Sequence, residues 1–136
     1  MRLADWASDE ASLRDIRRLV FMVEQGVAEE LEWDGIDHEC RHALAEDAEG
    51  RPIGCARLLP DGHIGRVAVL ANWRGRGIGD ALLVRLIELA RELGHRRVVL
   101  NAQTHALAFY ARHGFIAYGP EYDDAGIPHR AMERSI

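Results

Sequence analysis

A glycine-rich segment from Arg74 to Gly79 carries the residues best suited to chemistry in this sequence. It reads Arg-Gly-Arg-Gly-Ile-Gly and lies between a β-branched run, 64–70, and an apolar-periodic run, 80–93. Its three glycines leave backbone N–H groups uncovered, and the free N–H groups at the start of a helix attract anions. Its two arginines add permanent charge in a forked geometry that matches phosphate oxygens. The segment therefore predicts a phosphate-binding turn, and the two arginines favour a diphosphate.

Two familiar phosphate motifs do not fit this segment. A P-loop ends in Gly-Lys-Ser/Thr, but all 17 basic residues of the chain are arginine. The dinucleotide fingerprint G-x-G-x-x-G would need a glycine at position 80 or 82, where Asp80 and Leu82 stand. The pattern that fits is R-x-x-G-x-G, formed by Arg74, Gly77 and Gly79.

A second pattern, A-x-x-x-Y-x-x-x-G-F, runs from Ala106 to Phe115 and has Tyr110 at its centre. Together the two patterns resemble those of the GNAT N-acetyltransferase superfamily. The segments 23–27 and 126–132 look like those of its ElaA/YjcF-like branch. The resemblance covers nearly the whole chain, and the two patterns are its most specific part.

The resemblance implies that acetyl-coenzyme A is the acetyl donor and that its pyrophosphate binds at the glycine-rich segment. It implies that Tyr110 lies near the sulfur and protonates the leaving thiolate, since the pKa values of a phenol and a thiol, about 10 and about 8.5, are close. Gln103 stands where the family commonly has Asn. The cofactor-binding residues carried over are Val67, Ala68, Val69, Arg74, Gly75, Arg76, Gly77, Ile78, Gly79, Gln103 and Tyr110.

Transfer to an amine also needs a base. An alkylamine of pKa about 10.4 is protonated at pH 7, and making it nucleophilic costs about 4.6 kcal/mol. Glu24 is the leading candidate, through a water molecule, because it ends the first amphipathic helix and begins an acidic stretch. Glu121, His42 and His129 are rivals, and histidine has the better pKa for the task. We expect Glu24, Gln25, His42 and His129 to contact the acceptor amine.

Residues 38–42 match the zinc motif H-E-x-x-H, which requires both histidines on one face of a helix. The match is set aside because Asp34-Gly35 precedes it and no apolar helix stripe accompanies it. We expect a strand there and no metal site. Cys40 and Cys55 lack the C-x-x-C spacing, so reduced thiols are expected, and one disulfide is the less favoured alternative.

The apolar spacing predicts the elements that position these residues. Leu13, Ile16, Val20 and Val23 recur at helical spacing, so a helix is expected over 12–24, capped by Ser8 or Ser12, with Arg17 mostly on the opposite face. Residues 5–7 are expected to end a first strand, and a second short helix is expected around 29–33.

Two turn signals, Glu49-Gly50 and Asp61-Gly62, predict an antiparallel meander of strands 42–48, 53–60 and 63–70. A helix over 79–93, a strand over 97–102, a helix over 104–113 and a last strand from 115 follow. A strand, helix and strand in succession require a crossover, so strands 64–70 and 97–102 should be parallel neighbours. The expected class is therefore α/β with the GNAT fold: a mixed, mostly antiparallel sheet of about six strands, flanking helices and a parallel βαβ pair at the cofactor site.

Length and charge limit the function. The chain has 136 residues, 48% of them hydrophobic, which predicts a single domain over 1–136. Residues 1–50 hold 14 acids and 5 arginines, net −9, and the remainder is net +4. An anionic cofactor and a cationic acceptor suit this division, and a broad basic face for nucleic acid is disfavoured. We expect a cytoplasmic protein without a membrane segment, and a homodimer remains open.

Two functions remain. The favoured one is an acetyl-CoA-dependent N-acetyltransferase that acts on a primary amine, either of a small molecule or of an amino terminus or side chain, by direct attack in a ternary complex. The alternative is a catalytically silent acyl-CoA-binding or sensing module of the same fold.

Overall fold

The computed structural model describes residues 1–136 and contains seven strands and four α-helices. The strands are β1 (Arg2–Ala4), β2 (Arg41–Glu46), β3 (Pro52–Leu58), β4 (Ile64–Val69), β5 (Arg97–Gln103), β6 (Ile116–Asp124) and β7 (Ile127–Ser135). The helices are α1 (Trp6–Arg17), α2 (Glu29–Glu32), α3 (Ile78–Glu92) and α4 (Leu107–Ala111). The α/β class and the mostly antiparallel arrangement are confirmed.

The first sheet has the antiparallel order β1-β2-β3-β4. Its two hairpin turns are those that the sequence predicts, since Gly50 and Gly62 adopt φ values of +80° and +94°, a conformation that glycine adopts at little cost. The predicted bounds of β2, β3 and β4 agree with the structure to within about two residues.

The first helix begins earlier than expected and changes its winding. Residues 5–7 do not form a strand, because β1 ends at Ala4 and α1 starts at Trp6. From Arg18 to Glu24 the helix continues as a π-helix, in which Gln25 N–H bonds Val20 O at 3.1 Å. The wider winding of the π-helix rotates the apolar stripe of the first helix away from the sheet, so the side chain of Val23 is 70% exposed instead of buried. The predicted cap is also wrong, since Ser8 Oγ donates to the Asp5 carboxylate.

Helices cover both faces of the first sheet. The larger core cluster packs the apolar face of α3, including Leu82, Leu83 and Leu86, against β2, β3 and β5. The smaller cluster packs Leu13, Ile16 and Val20 of the first helix against the other face of the sheet. The packing of α3 against the sheet therefore fixes the position of its N-terminal end, which is the glycine-rich segment.

The predicted parallel pair is reduced to a single bridge. His63 pairs with Val99 in parallel, and Val99 N–H donates to Gly62 O at 3.2 Å, just before β4 begins. A bulge interrupts the pairing of β3 with β4, and Arg66 adopts a φ of +50° there. Beyond this point β4 pairs only with β3, and β5 belongs to a second sheet of order β5-β7-β6. The two sheets therefore separate towards the carboxyl ends of β4 and β5, and a cleft opens between them.

The second sheet contains the strand that the sequence did not predict. β6 and β7 form an antiparallel hairpin around Ala125 and Gly126, with φ values of +54° and +76°. Alanine is unusual in that conformation, so no ordinary turn signal marked the hairpin. None of the helices is both long enough and sufficiently apolar to cross a lipid bilayer.

Candidate active site

The cleft between the two sheets has a volume of about 1110 Å³. Most of the site residues predicted from the sequence lie on its wall, although they come from six different elements and their connections. Those on the wall are Glu24, Gln25, Val67, Ala68, Val69, Arg74, Gly75, Gly77, Ile78, Gly79, Gln103, Tyr110 and His129.

The glycine-rich segment forms the start of α3. Gly77 is its N-cap with a φ of +80°, and the first bond of the helix joins Ala81 N–H to Gly77 O at 3.0 Å. The N–H groups of residues 78–80 therefore have no partner within the helix. A Cβ placed on Gly77 would meet no atom within 4 Å, so the space above this backbone is open. The segment can accept an anion against bare amides.

Arg74 does not extend towards this anion site. Its Nε donates to Val69 O at 2.9 Å, and its two terminal nitrogens each donate to one oxygen of Glu24 at 2.6 Å. The guanidinium thus joins the end of β4 to the end of the first helix, 50 residues away along the chain. The predicted role of its side chain as a diphosphate ligand is not supported, because all its nitrogens already have acceptors.

The same contact argues against Glu24 as the base. Hydrogen bonding from Arg74 lowers the pKa of Glu24, outweighing the opposing effect of burial. A carboxylate with a lowered pKa and both oxygens occupied takes up a proton poorly. Glu24 lies on the cleft wall as predicted, but its geometry is that of a positioning residue.

Neither Arg76 nor His42 lines the cleft. The guanidinium of Arg76 stands over the ring of Trp73 at 4.8 Å. His42 is 3% exposed, stacks on Trp6 at 5.1 Å, and its Nε2 hydrogen bonds Asp37 O at 2.8 Å. His42 is therefore enclosed by the protein and does not line the cleft, whereas Arg76, exposed within the glycine-rich segment, stays a predicted cofactor ligand. The rival base Glu121 is also not on the wall.

Tyr110 lies on the cleft wall in a fixed orientation. Its ring meets Phe109 at 5.0 Å and Phe115 at 6.0 Å, both edge to face. The residue keeps some exposure to the cleft, yet burial by the surrounding protein raises its pKa to about 12. The phenol is therefore protonated at neutral pH and can donate a hydrogen bond into the cleft.

His129, on β7, has the geometry of a base. Its Nδ1 lies 2.7 Å from Ile127 O, and a carbonyl oxygen only accepts, so Nδ1 carries the hydrogen. In the neutral ring, the lone pair is then on Nε2. The ring also stacks on Tyr122, directly opposite on β6, at 6.0 Å. Both contacts hold the imidazole in one orientation on the cleft wall.

Gln103 and Gln25 meet across the cleft. Gln103 Nε2 donates to Gln25 Oε1 at 2.8 Å, and His105 Nε2 donates to Gln103 Oε1 at 2.6 Å. The hydrogen bond between the two glutamines joins the end of β5 to the end of the first helix. Glutamine, at the position where the family commonly has asparagine, is long enough to make this contact.

A buried ionic network supports the wall next to α2. Arg17 donates to Glu32 at 2.7 Å and to Asp37 at 2.6 Å, and Arg57 donates to Asp37 at 3.0 Å. Burial alone would raise the pKa of Asp37, but the hydrogen bonds from both arginines outweigh it and lower the pKa. Helical periodicity predicts Arg17 on the outer face of the helix, but Arg17 is buried. The prediction is wrong because an apolar pattern does not identify an arginine that is buried with two carboxylate partners.

Several cleft residues were not predicted. Asp80 accepts a hydrogen bond from His113 Nε2 at 2.7 Å, which lowers its pKa. Asp124 and Ile127 reach the cleft from the β6–β7 hairpin. The acidic residue directly after the third glycine was a usable signal for Asp80. No local signal marks Asp124, since its place depends on the hairpin.

Comparison with known proteins agrees with this geometry. The sequence model of the acetyltransferase (GNAT) domain family matches residues 9–136 of this chain. The N-acetyltransferase YjcF of Bacillus subtilis is 37% identical over 133 residues, covering 93% of this chain and 94% of that protein. The crystal structure of Escherichia coli ElaA is 30% identical with a TM-score of 0.87 and 98% coverage of both chains. An acyl-CoA N-acyltransferase from Pseudomonas aeruginosa is 32% identical with a TM-score of 0.85, covering 98% of this chain and 97% of that one.

Proposed function

Because the chain belongs to the GNAT acetyltransferase family, in the branch of ElaA and YjcF, we propose that this acyltransferase moves an acetyl group from acetyl-coenzyme A to a primary amine. The amine attacks directly in a ternary complex. The observation that carries the proposal is that the open amides of residues 78–80 and the phenol of Tyr110 lie on the wall of one cleft.

The residues present fit coenzyme A. The pyrophosphate would lie against the amides that follow Gly77, where the backbone is open. The pantetheine arm would lie along the β4 edge at Val67 and Val69, whose side chains pack against the main core. When bound, the cofactor supplies the activated thioester. The separation of β4 from β5 makes room for an extended chain between the sheets.

We assign the base role to His129. Its Nε2 lone pair accepts no hydrogen bond from the protein, whereas both oxygens of Glu24 accept hydrogen bonds from Arg74. The base must offset about 4.6 kcal/mol to deprotonate an alkylammonium at pH 7, and imidazole is suited to this range of pH.

Tyr110 is proposed to donate to the leaving sulfur. Burial keeps the phenol protonated at neutral pH by raising its pKa to about 12. It can therefore donate a hydrogen bond to the negative charge that develops on the sulfur.

Release of free thiol from acetyl-CoA in the presence of a panel of primary amines tests the proposed function. We expect thiol release that depends on both the enzyme and the amine. Binding of acetyl-CoA without amine-dependent release would instead support the silent acyl-CoA-binding module.

A further inference from the structure

The charged side chains on the cleft wall are almost completely paired. Eight aspartate, glutamate and arginine side chains line the cleft. Six of them form three ion pairs with each other, and Arg57 is held by Asp34 and Asp37 at 2.9 and 3.0 Å. The eighth, Asp124, is exposed, and its side chain has no ion-pair or hydrogen-bond partner within the protein. The three pairs are Glu24 with Arg74, Glu32 with Arg66, and Asp80 with Arg112.

Asp124 lies on the same face of the β6–β7 hairpin as His129. Asp124 is opposite Ile127 and Tyr122 is opposite His129, and residues directly opposite or two apart share a face. Asp124 and His129 are therefore diagonal neighbours, roughly 7–8 Å apart and with their Cβ atoms somewhat closer. Ile127 and His129 line the cleft with Asp124, whereas the adjacent Asp123 does not.

From this arrangement we propose that the acceptor is a diamine whose second, cationic group binds Asp124 while its reacting amine lies at Nε2 of His129. The inference rests on the proposed function and names its substrate class. The separation suits a spacer of roughly three to five carbon atoms. An ammonium ion supplies the hydrogen-bonding counter-charge that Asp124 lacks. A carboxylate at that end would meet Asp124 as a like charge, and the four arginines that line the cleft already have carboxylate partners.

Three probes of one length test the inference by their end groups. 1,4-Diaminobutane, 4-amino-1-butanol and 4-aminobutyrate present a cation, a neutral hydroxyl and an anion at the same place. With wild-type enzyme and saturating acetyl-CoA, we expect kcat/KM to fall in that order. The diamine should exceed the amino alcohol by about twofold to fivefold, as expected for an exposed ion pair, beyond the statistical gain from its two equivalent amino groups.

Two variants and one matched control assign the preference to Asp124. Asp124→Asn should reduce the ratio of diamine to amino alcohol to that statistical gain, and Asp124→Arg should make 4-aminobutyrate the best of the three. Asp123→Asn removes the same charge from the other face of the hairpin and should preserve the wild-type order.

The outcomes separate the inference from the function on which it rests. Equal turnover of the diamine and the amino alcohol by the wild type, or an unchanged preference in Asp124→Asn, overturns the inference and leaves the acetyltransferase activity standing. Absence of thiol release with every amine overturns the proposed function itself.

Discussion

Replacing Tyr110 by phenylalanine isolates the proton that the phenol supplies. The ring is held by Phe109 and Phe115, and phenylalanine preserves those contacts. The Tyr110 hydroxyl makes no hydrogen bond within the protein, so its removal leaves no unpaired partner. We therefore expect a folded variant whose affinity for acetyl-CoA differs little from that of the wild type.

The expected loss follows from the pKa of about 12. Complete proton transfer from this phenol to a thiolate of ordinary pKa, about 8.5, would cost about 4.8 kcal/mol. A hydrogen bond donated to the developing charge avoids that cost and contributes about 1.5–3 kcal/mol. At 1.36 kcal/mol per tenfold change, the loss of that bond should slow turnover roughly 10- to 150-fold.

The assay is thiol release at saturating acetyl-CoA and amine, with cofactor affinity measured separately by calorimetry. Tyr118→Phe serves as the control, because Tyr118 is 46% exposed and lies away from the cleft. A Tyr110→Phe enzyme with wild-type kcat, or one whose whole deficit appears in acetyl-CoA affinity, would refute the donor role.

Three further predictions concern the anion site, the base and the buried network. Gly77→Asp should weaken coenzyme A binding by about 10²-fold through like-charge repulsion, while Gly77→Asn, with the same strained backbone and no charge, should lose far less affinity. Equal affinities of the two variants in calorimetry would contradict the anion site. In pH profiles of kcat/KM, His129→Gln should lose most of the activity together with the acidic limb of the profile. Glu24→Gln should keep that limb and change the KM for acetyl-CoA only a few-fold, since exposed ion pairs contribute about 0.2–1 kcal/mol. The reverse pattern would restore Glu24 as the base. Asp37→Asn should lower the free energy of unfolding in urea by about 3–5 kcal/mol, because it leaves two buried guanidinium groups short of a carboxylate, and the exposed Asp123→Asn should show no comparable loss.

Glu24 shows why a residue's role depends on its partner. From the sequence it was the leading base, because it ends the first helix and begins an acidic stretch. The structure places Arg74 against both of its oxygens, so that Glu24 joins the acceptor wall to the glycine-rich segment. His129 could not be preferred to it from the sequence, since the carbonyl that orients its ring belongs to Ile127, the first residue of the unpredicted strand β7.

The sequence by itself determined the glycine-rich turn at the start of α3 and most of the first sheet. Short patterns are sufficient to predict these features, because the glycines at 75, 77 and 79, the apolar period over α3 and the two glycine turns act through the backbone of a few neighbouring residues. Only the tertiary structure decided which charges are paired, which of the candidate residues His42 and His129 lines the cleft, and that β4 and β5 separate after one bridge. These features depend on residues distant in sequence and on burial, which changes the pKa and the availability of each group.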